Sequence, residues 1–151
     1  MKIYEVTQEH SEALHHRIAA LFMQQISVSD DPSSYDQVLE AVRLSLKNDA
    51  TSRIIVAEIA DDLLGVAFMN FGISLRTGGY YLWLNELYVD NEHRNEGVGK
   101  ELLLYTIHLA ESENIKTIEL ETGVNNSVTK HMYNSLGFYE VVSKRYGFTF
   151  S

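Results

Sequence analysis

The 151-residue chain contains no cysteine and only one proline. Without a thiol, the protein can form no disulfide, no cysteine metal site and no acyl-cysteine intermediate. No apolar run approaches the roughly 18 residues of a membrane-spanning helix, and the N-terminus lacks a basic-then-apolar signal pattern. No internal repeat, low-complexity segment or linker interrupts the sequence. We therefore expect a single domain over residues 1–151, located in the cytoplasm.

Basic residues are scarce, with 12 lysines and arginines against 21 aspartates and glutamates. The resulting net charge of −9 argues against nucleic acid or an anionic membrane as the main partner, and it suits a cationic partner. The adjacent histidines His15 and His16 have no further ligand at metal-binding spacing, so we expect no metal site.

The spacing of apolar residues predicts alternating helices and strands. The first half is predicted to contain a strand over Met1–Val6, a helix from its Thr7 cap to about Ile26, a loop over Ser27–Ser34, a helix over Tyr35–Lys47 and strands over Arg53–Ile59 and Leu64–Ile73. The second half is predicted to contain a strand over Tyr80–Val89, a helix over Gly97–Asn114, a strand over Lys116–Glu121, a helix over Ser127–Leu136 stopped by Gly137, and two short strands over Phe138–Val142 and Tyr146–Phe150.

This order predicts a mixed α/β (α+β) fold. The early strands form an antiparallel meander, whereas strand, helix and strand around Gly97–Asn114 require a right-handed crossover between parallel strands. The central sheet is therefore mostly antiparallel with one parallel pair, and helices cover both of its faces. Ligands bind such units at the carboxyl ends of the parallel strands, where the loop at Arg94–Gly99 also falls.

That loop carries the spacing Arg94-x-x-Gly97-x-Gly99 at the start of a helix. A helix N-terminus offers unpaired N–H groups and partial positive charge, and glycine lets the backbone approach an anion closely. Two better-known phosphate loops do not fit. A Walker A loop needs glycine at Arg94 and Ser or Thr at Glu101, and a dinucleotide fingerprint needs glycine or alanine at Leu102.

Together with Asn126, Tyr133 and Gly137-Phe138 downstream, the glycine loop and its flanking elements resemble the GNAT superfamily of N-acetyltransferases. The resemblance implies a GNAT-like fold in which the parallel strand pair splays apart. It also implies acetyl-CoA as co-substrate and transfer of the acetyl group to a primary amine.

The resemblance further implies where acetyl-CoA binds. The N–H groups of Asn95–Lys100 would hold the pyrophosphate, and main-chain groups of Leu87 and Val89 would pair with the pantetheine arm. Asn126 would contact that arm, and the Tyr133 hydroxyl would lie near the sulfur. The implied coenzyme-binding residues are Leu87, Tyr88, Val89, Arg94, Asn95, Glu96, Gly97, Val98, Gly99, Lys100, Asn126 and Tyr133.

Amide formation needs a base for the amine and an acid for the leaving thiol. We expect Glu86 to act as base, directly or through water, and Tyr133 as acid. Strand alternation predicts that Glu86 shares a face with Leu84 and Tyr88. Because the chain lacks cysteine, direct transfer in a ternary complex is expected. A non-catalytic acyl-CoA-binding regulatory module and a site for a different nucleotide remain alternatives.

The acceptor is open between a small molecule and a peptide. The acidic charge favours a cationic amine such as a polyamine, an aminoglycoside-like compound or an amino-acid derivative, while a protein N-terminus or lysine is also compatible. Asp30, Asp31 and Tyr35 could attract such an amine. The two short final strands could pair across a homodimer.

Overall fold

The computed structural model describes residues 1–25, 32–47, 49–121 and 127–150. The chain forms two compact units, Met1–Glu121 and Thr122–Ser151. The first unit contains the sheet, and the second contains a helix and a C-terminal segment without regular structure. That all 151 residues act as a single domain stays a prediction.

The described elements follow one another largely as the sequence predicts. The strands are β1 (Lys2–Glu5), β2 (Ser52–Ile59), β3 (Asp62–Ser74), β4 (Gly79–Val89) and β5 (Thr117–Leu120). The helices are α1 (Glu12–Met23), α2 (Pro32–Ser45), α3 (Val98–Ser112) and α4 (Ser127–Ser135), and a short 3-10 helix covers Asn91–His93.

The sheet order is β1-β2-β3-β4-β5, and neighbouring strands are antiparallel except for the parallel pair β4–β5. Helices α1 and α2 pack on one face, where Ile18 and Val42 join Val66 in a buried cluster. Helix α3 packs on the other face, so close that a Cβ on Gly65 would lie 2.9 Å from Leu102. The predicted mixed sheet with helices on both faces is therefore confirmed.

A bulge in β4 alters which side chains share a face. Phe68 pairs with Glu86 and Met69 pairs with Leu84, so Asn85 is one residue too many for the partner strand. Consecutive residues of β3 point to opposite faces, and cross-strand partners share a face. Because Phe68 packs on the α1/α2 side, Glu86 lies on that side. The prediction that Glu86 and Leu84 share a face is wrong, because the extra residue shifts the alternation.

Both N-terminal helices begin at positions different from those predicted. Helix α1 starts after Ser11, whose side chain accepts the Leu14 N–H at 3.2 Å, because Thr7 is occupied in a turn with His10. Helix α2 starts at Pro32, within the predicted loop, because proline at the first helical position loses no hydrogen bond.

The two predicted C-terminal strands are not formed. Residues 139–150 have no strand structure, although their sequence alternates bulky apolar residues with polar ones. A strand needs a hydrogen-bonded neighbour, and high β-propensity alone does not supply one. The end of α4 is as predicted, since Gly137 adopts the left-handed conformation with φ of 97°. Pairing of this segment across a homodimer stays a prediction.

Candidate active site

The N-terminus of α3 forms the centre of the candidate site. Gly97 caps the helix in the left-handed conformation, with φ of 80°, and no side chain caps it. The Glu101 N–H donates to the Gly97 carbonyl at 3.0 Å, which is the first bond of the helix. The N–H groups of Val98, Gly99 and Lys100 precede that bond and add to the positive end of the helix dipole. The arrangement can bind an anion.

Among the charged side chains around this terminus, Glu96 and Arg94 already contact neighbours. His93 Nδ1 lies 3.0 Å from Glu96 Oε2, which holds the acidic side chain within the loop. The Arg94 guanidinium lies over the Tyr88 ring, 5.4 Å from its centroid, while Lys100 is exposed. Lys100 is therefore placed to meet an anion from solvent, whereas Arg94 would have to leave the ring to do so.

Strand β4 extends beyond its parallel partner. In the described residues, pairing with β5 ends at Leu84, whereas β4 continues to Val89. The Asp90 N–H donates to the Leu64 carbonyl of β3 at 2.8 Å. In an antiparallel pair alternate residues point their main-chain groups to opposite sides, so those of Leu87 and Val89 point away from β3. No described strand pairs with this side of β4 beyond Leu84, so these groups could bind an extended ligand lying alongside it.

Tyr88, between these two residues, has a different environment. Its side chain is 6% exposed and belongs to the buried cluster under α1 and α2. Its hydroxyl is bonded to Gln24 Oε1 at 3.2 Å and to Asn91 Oδ1 at 3.1 Å. Tyr88 therefore ties the end of β4 to α1 and to the loop.

Glu86 lies half-buried on the α1/α2 side of the sheet. Burial raises the pKa of its carboxyl group, and a hydrogen bond from Gln25 Nε2 to Oε2, at 3.3 Å, opposes that rise. The sequence does not point to Gln25, because it lies 61 positions from Glu86 and no local pattern links the two residues.

Tyr133 belongs to the second unit and is 9% exposed. Burial raises the pKa of its hydroxyl, so the group stays protonated at neutral pH. Its ring packs on Phe138 with centroids 5.8 Å apart, and its carbonyl accepts the N–H groups of Leu136 and Phe138. These contacts hold the residue at the end of α4.

The remaining candidates divide between described and undescribed positions. Asn126, Asp30 and Asp31 lie outside the described residues. The Tyr35 hydroxyl lies 2.6 Å from His16 Nδ1, so it is already engaged. Within the described ranges, no group of three His, Asp or Glu side chains could hold a metal ion, and no helix is long and apolar enough to cross a membrane.

Comparison with solved structures gives three similar folds. "Crystal structure of a probable acetyltransferase" has a TM-score of 0.81, 23% identity, and coverage of 100% of this chain and 99% of that chain. A ribosomal-protein-alanine N-acetyltransferase from Brucella melitensis biovar Abortus 2308 has a TM-score of 0.77 and 17% identity, and the match covers 99% of this chain and 100% of that chain. An aminoglycoside acetyltransferase from an uncultured soil metagenomic sample, in complex with sisomicin, has a TM-score of 0.75 and 16% identity, and the match covers 98% of this chain and 96% of that chain.

No curated protein matches the chain by sequence. A family model does match, over residues 15–138, and it describes the acetyltransferase (GNAT) family. The matched range includes β4, the glycine loop, α3 and α4. The family match agrees with the mixed sheet. The chain belongs to the GNAT family of acetyltransferases.

Proposed function

We propose that the protein is an acetyl-CoA-dependent N-acetyltransferase that transfers the acetyl group directly to a primary amine in a ternary complex. The observation that carries this proposal is the end of β4, where two outward-facing main-chain positions meet the N-terminus of α3. Family membership supports acetyl transfer in general. The amine acceptor and the direct transfer are the proposed parts.

The α3 terminus fits the pyrophosphate of acetyl-CoA. N–H groups from Asn95 to Lys100 would bind its oxygens, and the exposed Lys100 would neutralise part of its charge. Asn95 and Gly97 both adopt positive φ, of 66° and 80°, which turns the loop backbone into the helix. Apart from the neighbouring residues of the chain, no described atom lies within 4 Å of where a Cβ on Gly97 would stand, so the backbone is open to a ligand.

The far end of β4 fits the pantetheine arm. Its amide groups require main-chain donors and acceptors, and Leu87 and Val89 would supply them. The Val89 N–H would also stabilise the negative charge that develops on the acetyl oxygen. A contact between Asn126 and the arm stays a prediction.

Glu86 would act as the base. A primary amine with a pKa of about 10.4 is almost entirely protonated at pH 7 and cannot attack. The raised pKa of Glu86 makes its carboxylate a stronger proton acceptor than an exposed glutamate. Glu86 would take the amine proton directly or through a water molecule. Since the chain has no cysteine, no acyl-cysteine step intervenes.

Tyr133 would act as the acid. Bound acetyl-CoA supplies an activated thioester, whose C–S bond breaks as the new amide C–N bond forms. The leaving thiolate then needs a proton, and a phenol that stays protonated at neutral pH can donate it. Burial of the Tyr133 hydroxyl favours that protonated form.

A Tyr133→Phe variant tests this role. We expect an unchanged dissociation constant for acetyl-CoA and about a hundredfold lower kcat, because only the proton donor is lost. Tyr139→Phe is the matched control, since Tyr139 is 81% exposed. Equal turnover by both variants would remove Tyr133 from the mechanism.

The acceptor is proposed to be a cationic primary amine, on a small molecule or a peptide. The acidic net charge of −9 supports a cationic acceptor. The named structural neighbours include enzymes for a ribosomal protein's alanine and for aminoglycosides, so this fold accommodates both acceptor types. Binding of acetyl-CoA without coenzyme A release on any amine would favour a regulatory acyl-CoA-binding module.

A further inference from the structure

An apolar cavity of about 150 Å³ lies between α1, α2 and the sheet. It is named here the α1/α2 cavity. Ten described residues line it, and eight of them have purely hydrocarbon side chains. Its apolar lining includes Ile18, Phe22, Val38, Ala41, Val66 and Phe68.

Two polar residues line the α1/α2 cavity, Ser45 and Glu86. The Ser45 hydroxyl donates to the Val42 carbonyl at 2.7 Å, so it is committed to the backbone of α2. Among the described lining residues, Glu86 is therefore the one charged group. The cavity thus pairs apolar walls with one carboxylate.

This arrangement restricts what can bind. A single ammonium group can pair with the Glu86 carboxylate while the rest of the ligand contacts hydrocarbon. A second ammonium or a set of hydroxyls would meet described walls that, apart from Ser45 and Glu86, are hydrocarbon, and burying a polar group without a hydrogen-bond partner is strongly unfavourable. An apolar cavity of this volume holds a benzene-sized group.

We propose that the acceptor is a primary monoamine with a compact apolar group, phenyl-sized or branched alkyl, which occupies the α1/α2 cavity while its amine faces Glu86. This inference rests on the proposed function, because it assigns Glu86 to the acceptor side. Of the cationic acceptors that are compatible with the sequence, it favours monoamines over polyamines and aminoglycosides.

The first test compares amines that differ in one feature. 2-Phenylethylamine and 3-methylbutylamine are compared with ethylamine, spermidine and an aminoglycoside. We expect kcat/KM at least about tenfold higher for the first two, since a single methylene in an apolar pocket already changes specificity by that factor. Isothermal titration of each amine into the protein with coenzyme A present gives a readout independent of turnover.

The second test fills the α1/α2 cavity. Ala41 lies on an exposed part of α2 yet lines the cavity, so Ala41→Phe can place a ring in it without disturbing the buried cluster. We expect KM and Kd for 2-phenylethylamine to rise about tenfold or more, with KM for acetyl-CoA unchanged. Gln37→Phe adds the same ring at an exposed α2 position outside the cavity lining, and it should change neither value.

The outcomes separate the two proposals. Turnover that prefers spermidine or the aminoglycoside, or that Ala41→Phe leaves unchanged, would overturn the cavity inference and leave the transferase standing. A second outcome is that 2-phenylethylamine binds, that Ala41→Phe abolishes this binding, and that no amine causes coenzyme A release from acetyl-CoA. This outcome would overturn the proposed function and leave the ligand class of the cavity supported.

Discussion

The two halves of β4 differ in what lies beside them on the β5 side. The first half, 79–84, pairs with β3 and, from Tyr81 onward, with β5, and its side chains Leu82 and Leu84 are 0% and 4% exposed. In the second half, 85–89, the described pairing is with β3 alone, and this half carries the half-buried Glu86. One continuous strand therefore has a half with strand neighbours on both sides and a half whose β5 side has no described strand partner.

The bulge at Asn85 separates the two halves. It puts Leu84 on the α3 side and Glu86 on the α1/α2 side. A bulge disrupts pairing locally and redirects side chains, and such bulges are common next to active sites. Pairing with two strands holds the first half of β4 in the sheet, and beyond the bulge no described strand lies on the β5 side.

Glu86→Gln removes the proposed base from the second half of β4. We expect kcat to fall about a hundredfold or more, because the amide cannot accept the amine proton while it keeps the size of the side chain. The measurement is steady-state coenzyme A release with saturating acetyl-CoA. Glu119→Gln is the matched control, an exposed carboxylate that pairs opposite Trp83 in the first half. Comparable losses in both variants would show that Glu86 has no special role.

Leu82→Ala tests the first half of β4. The residue is fully buried, so we expect the free energy of unfolding to fall by about 2–5 kcal/mol through lost transfer energy and the cavity left behind. Leu87→Ala, at a partly exposed position in the second half, should cost clearly less. Urea unfolding of both variants measures the difference. Equal losses would contradict the division of β4 into two halves.

Gly97→Ala separates backbone strain from ligand binding. With φ of 80° at this position, alanine should cost about 1–2 kcal/mol of stability. Gly78, in the turn before β4, has φ of 75° and is the matched control, since Gly78→Ala should cost about the same. We expect KM for acetyl-CoA to rise in Gly97→Ala alone. A rise in both variants would attribute the effect to general destabilisation.

The pH dependence of kcat/KM should reflect the raised pKa of Glu86. The base works as a carboxylate, so kcat/KM falls as pH drops through its pKa. Because burial raises the Glu86 pKa above its usual 4.5, the acidic limb should lie above that value. The limb should disappear from the residual activity of Glu86→Gln. If the acidic limb is unchanged in Glu86→Gln, it arises from the titration of a group other than Glu86.

Local patterns predicted the elements on either side of the site. The glycine spacing before an amphipathic helix predicted the start of α3, and Gly137 predicted the end of α4. Each of these depends on residues a few positions apart in the chain. The parallel β4–β5 pair followed from the crossover that α3 requires.

Features that depend on distant residues were not predicted. The bulge at Asn85 arises from the fit between β3 and β4, and no residue in β4 signals it alone. Gln25 reaches Glu86 from the end of α1, and the α1/α2 cavity combines residues from five elements. The two strands predicted over Phe138–Val142 and Tyr146–Phe150 were wrong for the same reason, because strand formation depends on a partner strand elsewhere in the chain.

Amide hydrogen exchange along β4, with and without acetyl-CoA, measures whether the coenzyme pairs with the second half of the strand. If the second half of β4 holds the pantetheine arm, the amide protons of Leu87 and Val89 should exchange more slowly with saturating acetyl-CoA. Those of Leu82 and Leu84, whose half of the strand pairs with β5, should exchange as before. Saturated binding that leaves Leu87 and Val89 unprotected would contradict the account.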